Sequence, residues 1–126
     1  MRALIFWADE RSNNLGVRAL AAGTAELIRM VAAGSSVEFQ SFGRGAGPVN
    51  VGTKSAVASL LWRSSPFRAW LREFDVIFDT RAGDSFADIY GDRRLVTMSM
   101  VGQIAHAESV PIVMAPQTIG PFARPL

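Results

Sequence analysis

Three carboxylates, an arginine and two aliphatic hydroxyls are packed into the thirteen residues Asp79 to Gly91, which read DTRAGDSFADIYG. The carboxylates are Asp79, Asp84 and Asp88, the cation is Arg81, and the hydroxyls are Thr80 and Ser85. Gly83 and Gly91 supply freedom to turn. Aspartates such as Asp84 and Asp88 can orient or deprotonate a sugar hydroxyl, and Arg81 can hold an anion. The run follows the apolar stretch Val76-Ile77-Phe78, which reads as a buried strand. In a parallel α/β protein, ligands bind at that end of a strand. The three aspartates do not have the spacing of a calcium loop, and a single histidine, His106, rules out a histidine-rich metal site.

A second cationic group lies just beyond. Arg93 and Arg94 fall in the first turn of an expected helix, where the helix dipole favours acids. Either Asp84, Asp88 and Asp92 neutralise them in a structural cluster, or an anion such as phosphate does.

These groups need elements to position them, and the hydrophobic pattern supplies an alternating series. Ala3–Trp7 reads as a first strand, followed by a polar turn from Asp9 to Asn14. Asparagine is a good helix cap, and a helix is expected over Leu15–Ala33, with Leu20, Leu27, Ile28 and Val31 on one face and Gly34 closing it. Val37–Phe42 reads as the second strand. Gly43–Thr53 holds four glycines and a proline and reads as a flexible loop. Two short helices, Ser55–Trp62 and Pro66–Phe74, lead to a third strand over Asp75–Asp79. A helix over Arg93–Glu108 and a fourth strand over Val110–Ala115 follow, then a proline-rich tail from Pro116. The alternation predicts an α/β fold, a Rossmann-like parallel sheet of about four strands with flanking helices, in one domain spanning residues 1–126. Parallel strands bring the loops at residues 8–14, 43–53, 80–92 and 116–126 to one edge of the sheet.

Composition is consistent with this reading. Of 126 residues 49% are hydrophobic and 19% charged, as in a globular domain able to bury a core. No apolar run approaches the roughly 20 residues that span a bilayer, and the apolar start is too short for a signal peptide. A cytoplasmic location is expected. With no cysteine, disulfides and thiol catalysis are excluded. The net charge of +2 is dispersed and comes with no nucleic-acid signature, so no nucleic-acid partner is expected. The stretch Gly43-Arg44-Gly45-Ala46-Gly47 lacks the dinucleotide fingerprint, and there is no GxxxxGK[ST] run. His106 reads as structural at a core boundary, the Met98–Met100 pair as helix packing, and Trp7, Trp62 and Trp70 as core or interface residues.

Three segments carry a family resemblance. Pro116-Gln117-Thr118-Ile119-Gly120-Pro121-Phe122 resembles the GQSIGPF-type segment of the polysaccharide pyruvyl transferase family. Asn13-Asn14-Leu15-Gly16 resembles that family's N-x-G-D element after the first strand, with Val17 where the common form has aspartate. The acidic run is similar to the glycine-rich polar turn that relatives carry after this strand. The three occur in the family's order and span nearly the whole chain. The resemblance implies the N-terminal half of a GT-B-type fold, with a second Rossmann-like domain beyond residue 126 holding most of the groups that handle phosphoenolpyruvate.

The reaction it implies is pyruvyl transfer from phosphoenolpyruvate to a sugar of a cell-surface polysaccharide, for exopolysaccharide biosynthesis. Protonation of the methylene carbon is followed by attack of a sugar hydroxyl, and a second hydroxyl displaces phosphate to close a cyclic ketal. This needs acid, base and cations but no cofactor. The expected catalytic residues are Asp84 and Asp88. The expected substrate-binding residues are Asn13, Asn14, Gly16, Arg81, Gly83, Ser85, Arg93, Gln117 and Gly120, and no metal is expected. Alone, such a half would be inactive and could self-associate through its uncovered face. Two other readings remain: half of a different GT-B-like glycosyltransferase, or a non-catalytic α/β binding module.

Overall fold

The computed structural model describes residues 1–43, 45–82 and 91–116. Four strands, β1 (Arg2–Phe6), β2 (Ser36–Gln40), β3 (Val76–Asp79) and β4 (Ile112–Met114), form one sheet in the order β2-β1-β3-β4. Every neighbouring pair is parallel, and Phe6 lies opposite Gln40 on one side and Asp79 on the other. The expected Rossmann-like α/β architecture is therefore present. Among the described residues no helix is long and apolar enough to cross a membrane.

Period-two alternation in β1 divides the core. Ala3 and Ile5 face helix α1 (Leu15–Val31), while Leu4 and Phe6 face α2 (Thr53–Leu61), α3 (Pro66–Leu71) and α4 (Asp92–Ala107). β1 can be buried on both faces because it is apolar from Ala3 to Phe6. On the larger side Phe67, Leu71, Met98 and Ile104 are almost fully enclosed, each contributing about 1.5–3 kcal/mol by removal from water.

Helix α1 meets the sheet differently from the expected face. Its buried stripe is Ala21, Ala25 and Ile28, while Leu27 and Val31 are exposed. Small alanines let the helix lie close to the strands, which moves the contact line one residue away from the larger side chains. Leu27 and Val31 instead border an apolar hollow of about 260 Å³ beside Phe78 and Val113. The helix ends at Val31, two residues before the expected limit, with Ala32 as its C-cap. Asn14 caps the other end as expected, its Oδ1 accepting from the amides of Gly16 (2.9 Å) and Val17 (3.2 Å). Trp70 belongs to the core, Trp62 is largely exposed, and His106 is exposed rather than set against the core.

One ionic cluster fastens α3 to the end of α4. The buried Arg68 guanidinium donates through Nε to the Ser59 carbonyl and through Nη1 to Glu108, which also accepts from Arg72 Nη1 at 2.6 Å. The hydrogen bonds from Arg68 and then Arg72 hold the Glu108 carboxyl below its usual range. A depressed folded-state pKa contributes stability that is present at neutral pH and lost as pH falls through that pKa. Glu108→Gln is expected to cost about 2 kcal/mol in urea denaturation at pH 7, because the buried Arg68 loses its counter-charge. The difference between variant and parent should shrink below about pH 4.

Candidate functional site

The chain reverses its direction of travel across the sheet between β1 and β3. From β1 it crosses over α1 to β2 at one edge. From β2 it passes α2 and α3 to β3, on the other side of β1, and then continues through α4 to β4. The loops leaving β1 and β3 therefore depart in opposite directions, which opens the crevice where open α/β sheets bind ligands.

The backbone at this point is held in uncommon conformations. Trp7, directly after β1, has φ of 67°, and Arg81 and Ala82, just after β3, have φ of 48° and 55°. Non-glycine residues in this left-handed region cost on the order of 1–2 kcal/mol each, so the surroundings must fix them. At β3 the fixing bonds are explicit. The amide of Thr80 donates to the Phe6 carbonyl at 3.2 Å and its hydroxyl donates to the same oxygen at 2.8 Å. Asp79 Oδ1 accepts from the Arg81 amide at 2.9 Å, an Asx turn.

Asp79, Thr80 and Arg81 are all buried. The Arg81 guanidinium pairs with Asp79 at 3.1 Å. Burial pushes the Asp79 carboxyl above its ordinary range, opposed by the Arg81 charge and amide and by the nearby Trp7 indole. That indole N–H makes no hydrogen bond of normal geometry with the carboxylate.

Trp7 also shapes the rim. Strict alternation would place it with Ile5 on the α1 face. Its left-handed backbone brings it to the opposite face, stacked on Phe6 with ring centroids 5.2 Å apart. From there it contacts Phe42 at 4.4 Å, and Phe42 carries the Arg94 guanidinium 4.6 Å from its ring centre. A continuous aromatic path thus runs from the strand core to an arginine at the start of α4.

The glycine-rich segment after β2 is not the flexible loop expected from composition. It wraps around Gln40, whose side chain is fully buried. Gln40 Nε2 donates to the carbonyls of Ser41 (2.9 Å) and Gly43 (3.3 Å), and Oε1 accepts from the Gly47 amide at 2.8 Å. Gly43 and Val51 exchange amide-to-carbonyl bonds at 2.8 Å in each direction. Glycine is required for space: a Cβ on Gly45 would lie 2.5 Å from Gln40 Oε1, and one on Gly47 would lie 2.8 Å from it and 3.1 Å from Trp70.

Two cavities open along this edge. One, of about 420 Å³, lies between the β1 loop and the glycine segment and includes Asp9, Glu10, Arg11, Phe39 and Ser41. The other, of about 400 Å³, lies between the starts of α2 and α4 and includes Phe42, Thr53, Arg93, Arg94 and Thr97.

The expected site residues are distributed accordingly. Asn13, Asn14 and Gly16 sit at the start of α1, where Asn14 is occupied in capping. Arg81 lies at the switch point with its guanidinium against Asp79, and exposed Arg93 borders the second cavity. Gly83, Asp84, Ser85, Asp88, Gln117 and Gly120 lie outside the described residues. Sequence reading missed Gln40, Phe42 and Trp7 as organisers of the site. For Gln40 a signal existed, since a polar residue at a strand end directly before clustered glycines can bond several backbone groups at once. Comparison with family models, curated proteins and solved structures finds no match to this chain.

Gly47→Ala is expected to cost about 1–3 kcal/mol, because Gln40 and Trp70 are both buried and neither can move aside freely. Gln40→Leu should cost a similar amount by leaving the Gly47 amide without its acceptor. Chemical denaturation measures both. Equal stability of parent and variants would show that the segment is not organised by Gln40.

Proposed function

We propose that this chain is the sugar-binding N-terminal half of a polysaccharide pyruvyl transferase that forms a ketal from phosphoenolpyruvate and two hydroxyls of one sugar. The observation that carries the reading is spatial. The turn before α1 and the start of the acidic run leave neighbouring parallel strands on one sheet edge, at the switch point. Both segments resemble the family in residue type and order, as does the segment from Pro116 that leaves β4.

In this reading Asp84 and Asp88 orient the acceptor sugar and take up its hydroxyl protons, and Gly83 and Ser85 shape the same turn. Asn13, Gly16, Gln117 and Gly120 line the acceptor side, with Asn14 holding the α1 turn in place. Arg81 keeps the base of the acidic run fixed through Asp79, and Arg93 offers positive charge towards the phosphate. Catalysis then consists of placing two hydroxyls against an activated carbon, with charge stabilisation completed by a second domain.

The test is phosphate release from phosphoenolpyruvate in the presence of an acceptor polysaccharide, with the chain joined to a second Rossmann-like half. Asp84→Ala and Asp88→Ala are each expected to lower the rate by about 100-fold or more. Rates within about twofold of the parent, or roughly 0.4 kcal/mol of barrier, would remove both residues from the chemistry. A melting temperature raised by nucleotide sugars and not by phosphoenolpyruvate would instead assign the chain to a nucleotide-sugar glycosyltransferase.

A further inference from the structure

We propose that the outer face of α1 docks against the same face of a second copy of this chain, the two helices running antiparallel and crossing at Gly23. This inference does not depend on the pyruvyl-transfer reading.

Exposed apolar side chains are unevenly placed on the molecule. Among the described residues eleven large hydrophobics are exposed, and seven of them lie on α1 or around the hollow beside it. Leu15, Leu27, Met30 and Val31 belong to the helix itself and are 63–88% exposed. Singly scattered apolar residues are ordinary on a protein surface, whereas a concentration of them on one face marks an interaction site.

The centre of this face has a notch. Leu15, Ala19, Gly23, Leu27 and Val31 recur every four residues and form one ridge along the helix. The ridge points away from Ala21, Ala25 and Ile28, which meet the sheet. Gly23 stands at its middle, eight residues from either end of α1. Glycine inside a helix is less favourable than alanine. A Cβ on Gly23 would meet nothing within 4 Å, so no contact among the described residues calls for its absence. A second helix crossing there does call for it, because the separation of two helix axes is set by the side chains at the contact.

The second copy is the occupant because the ridge is complementary to its own reverse. Ridges of this spacing run alongside one another when two helices cross at about −50°. A two-fold axis at Gly23 then sets each residue beside the one equally far along the other helix. Gly23 meets its own copy, Ala19 lies beside Leu27 of the partner subunit, and Leu15 lies beside Val31 of the partner subunit. Small Ala19 receives large Leu27, and this fit occurs twice, as an isologous interface requires. The charged residues of α1, Arg18, Glu26 and Arg29, all fall off the ridge. Docking also covers Leu27 and Val31 where they border the hollow.

Sedimentation velocity of the chain over a range of concentrations tests this, with thermal unfolding of the dilute protein as a companion measurement. The parent is expected to pass from monomer to dimer as concentration rises. Leu27→Ala and Ala19→Leu are each expected to weaken the dimer by about tenfold or more, the first by removing the knob and the second by filling its socket. The double variant exchanges the two sizes across the axis, and its dissociation constant should return to within about threefold of the parent. Gly23→Ala should raise the melting temperature of the dilute protein and weaken the dimer, a pair of effects that fold damage does not produce. All three positions are exposed, so these variants are expected to keep the fold. A monomer at every concentration would overturn the proposal and leave the face to a different protein. A dimer indifferent to these substitutions, or a double variant no tighter than the weaker single one, would overturn it as well. Phosphoenolpyruvate enters none of these measurements, so either proposal can fail without the other.

Discussion

The parallel pairing of β1 with β3 is the constraint from which the rest of this molecule follows. It sets Phe6 opposite Asp79 and lets Thr80 bind the Phe6 carbonyl through both its amide and its hydroxyl. Because β2 lies on the other side of β1, the chain has to leave these two strand ends in opposite directions. The left-handed backbones of Trp7, Arg81 and Ala82 all occur there. Strain at three non-glycine residues is sustained only where packing over-determines the conformation, and here the buried Thr80 and Asp79 bonds do so on the β3 side.

The abrupt turn at Trp7 has an effect beyond the strand end. A tryptophan continuing the β alternation would have packed against α1. Instead, its ring joins Phe6, Phe67, Trp70 and Phe42 in one aromatic assembly on the face covered by α2–α4. Large rings have few rotatable bonds, so a chain of them holds its outermost member with little loss of order. Phe42 is that outermost member, and it supports a cation at the mouth of a cavity. Gln40 acts from the other side by tying the glycine segment back onto the end of β2. The rim on this side is thus built on fixed elements even though it is made of loop.

Much of the fold was legible because period-two and period-3.6 patterns are strong in this chain. The four strands, the α1 cap at Asn14 and the alternating order follow from apolar runs, asparagine and proline placement. The α1 contact face was not legible, because alanines count weakly in a hydrophobic pattern yet win in packing when close approach to the sheet matters. The glycine segment misleads for a related reason. Glycines signal freedom in isolation, but at Gly45 and Gly47 they make room for a buried side chain that removes it. Of the site, the Arg93–Arg94 pair at a helix start was visible directly. The Phe42 and Thr53 walls were not, since they come from segments 40 or more residues earlier.

Charge at the two arginine sites is arranged in opposite ways, and this separates structural from ligand-facing roles. Arg81 is buried with Asp79, whose carboxyl gains a counter-charge and an amide bond but is still pushed towards its neutral form by burial. Removing either member of a pair enclosed in this way leaves the other buried without its counter-charge and disturbs the turn. Arg93, by contrast, keeps its charge at the protein surface, in the first turn of α4 beside Asp92. The same residue type, twelve residues apart, fixes the base of the acidic run at one position and presents charge to solvent at the other. Burial and the distance to a carboxylate decide between those roles, and the sequence motif alone does not.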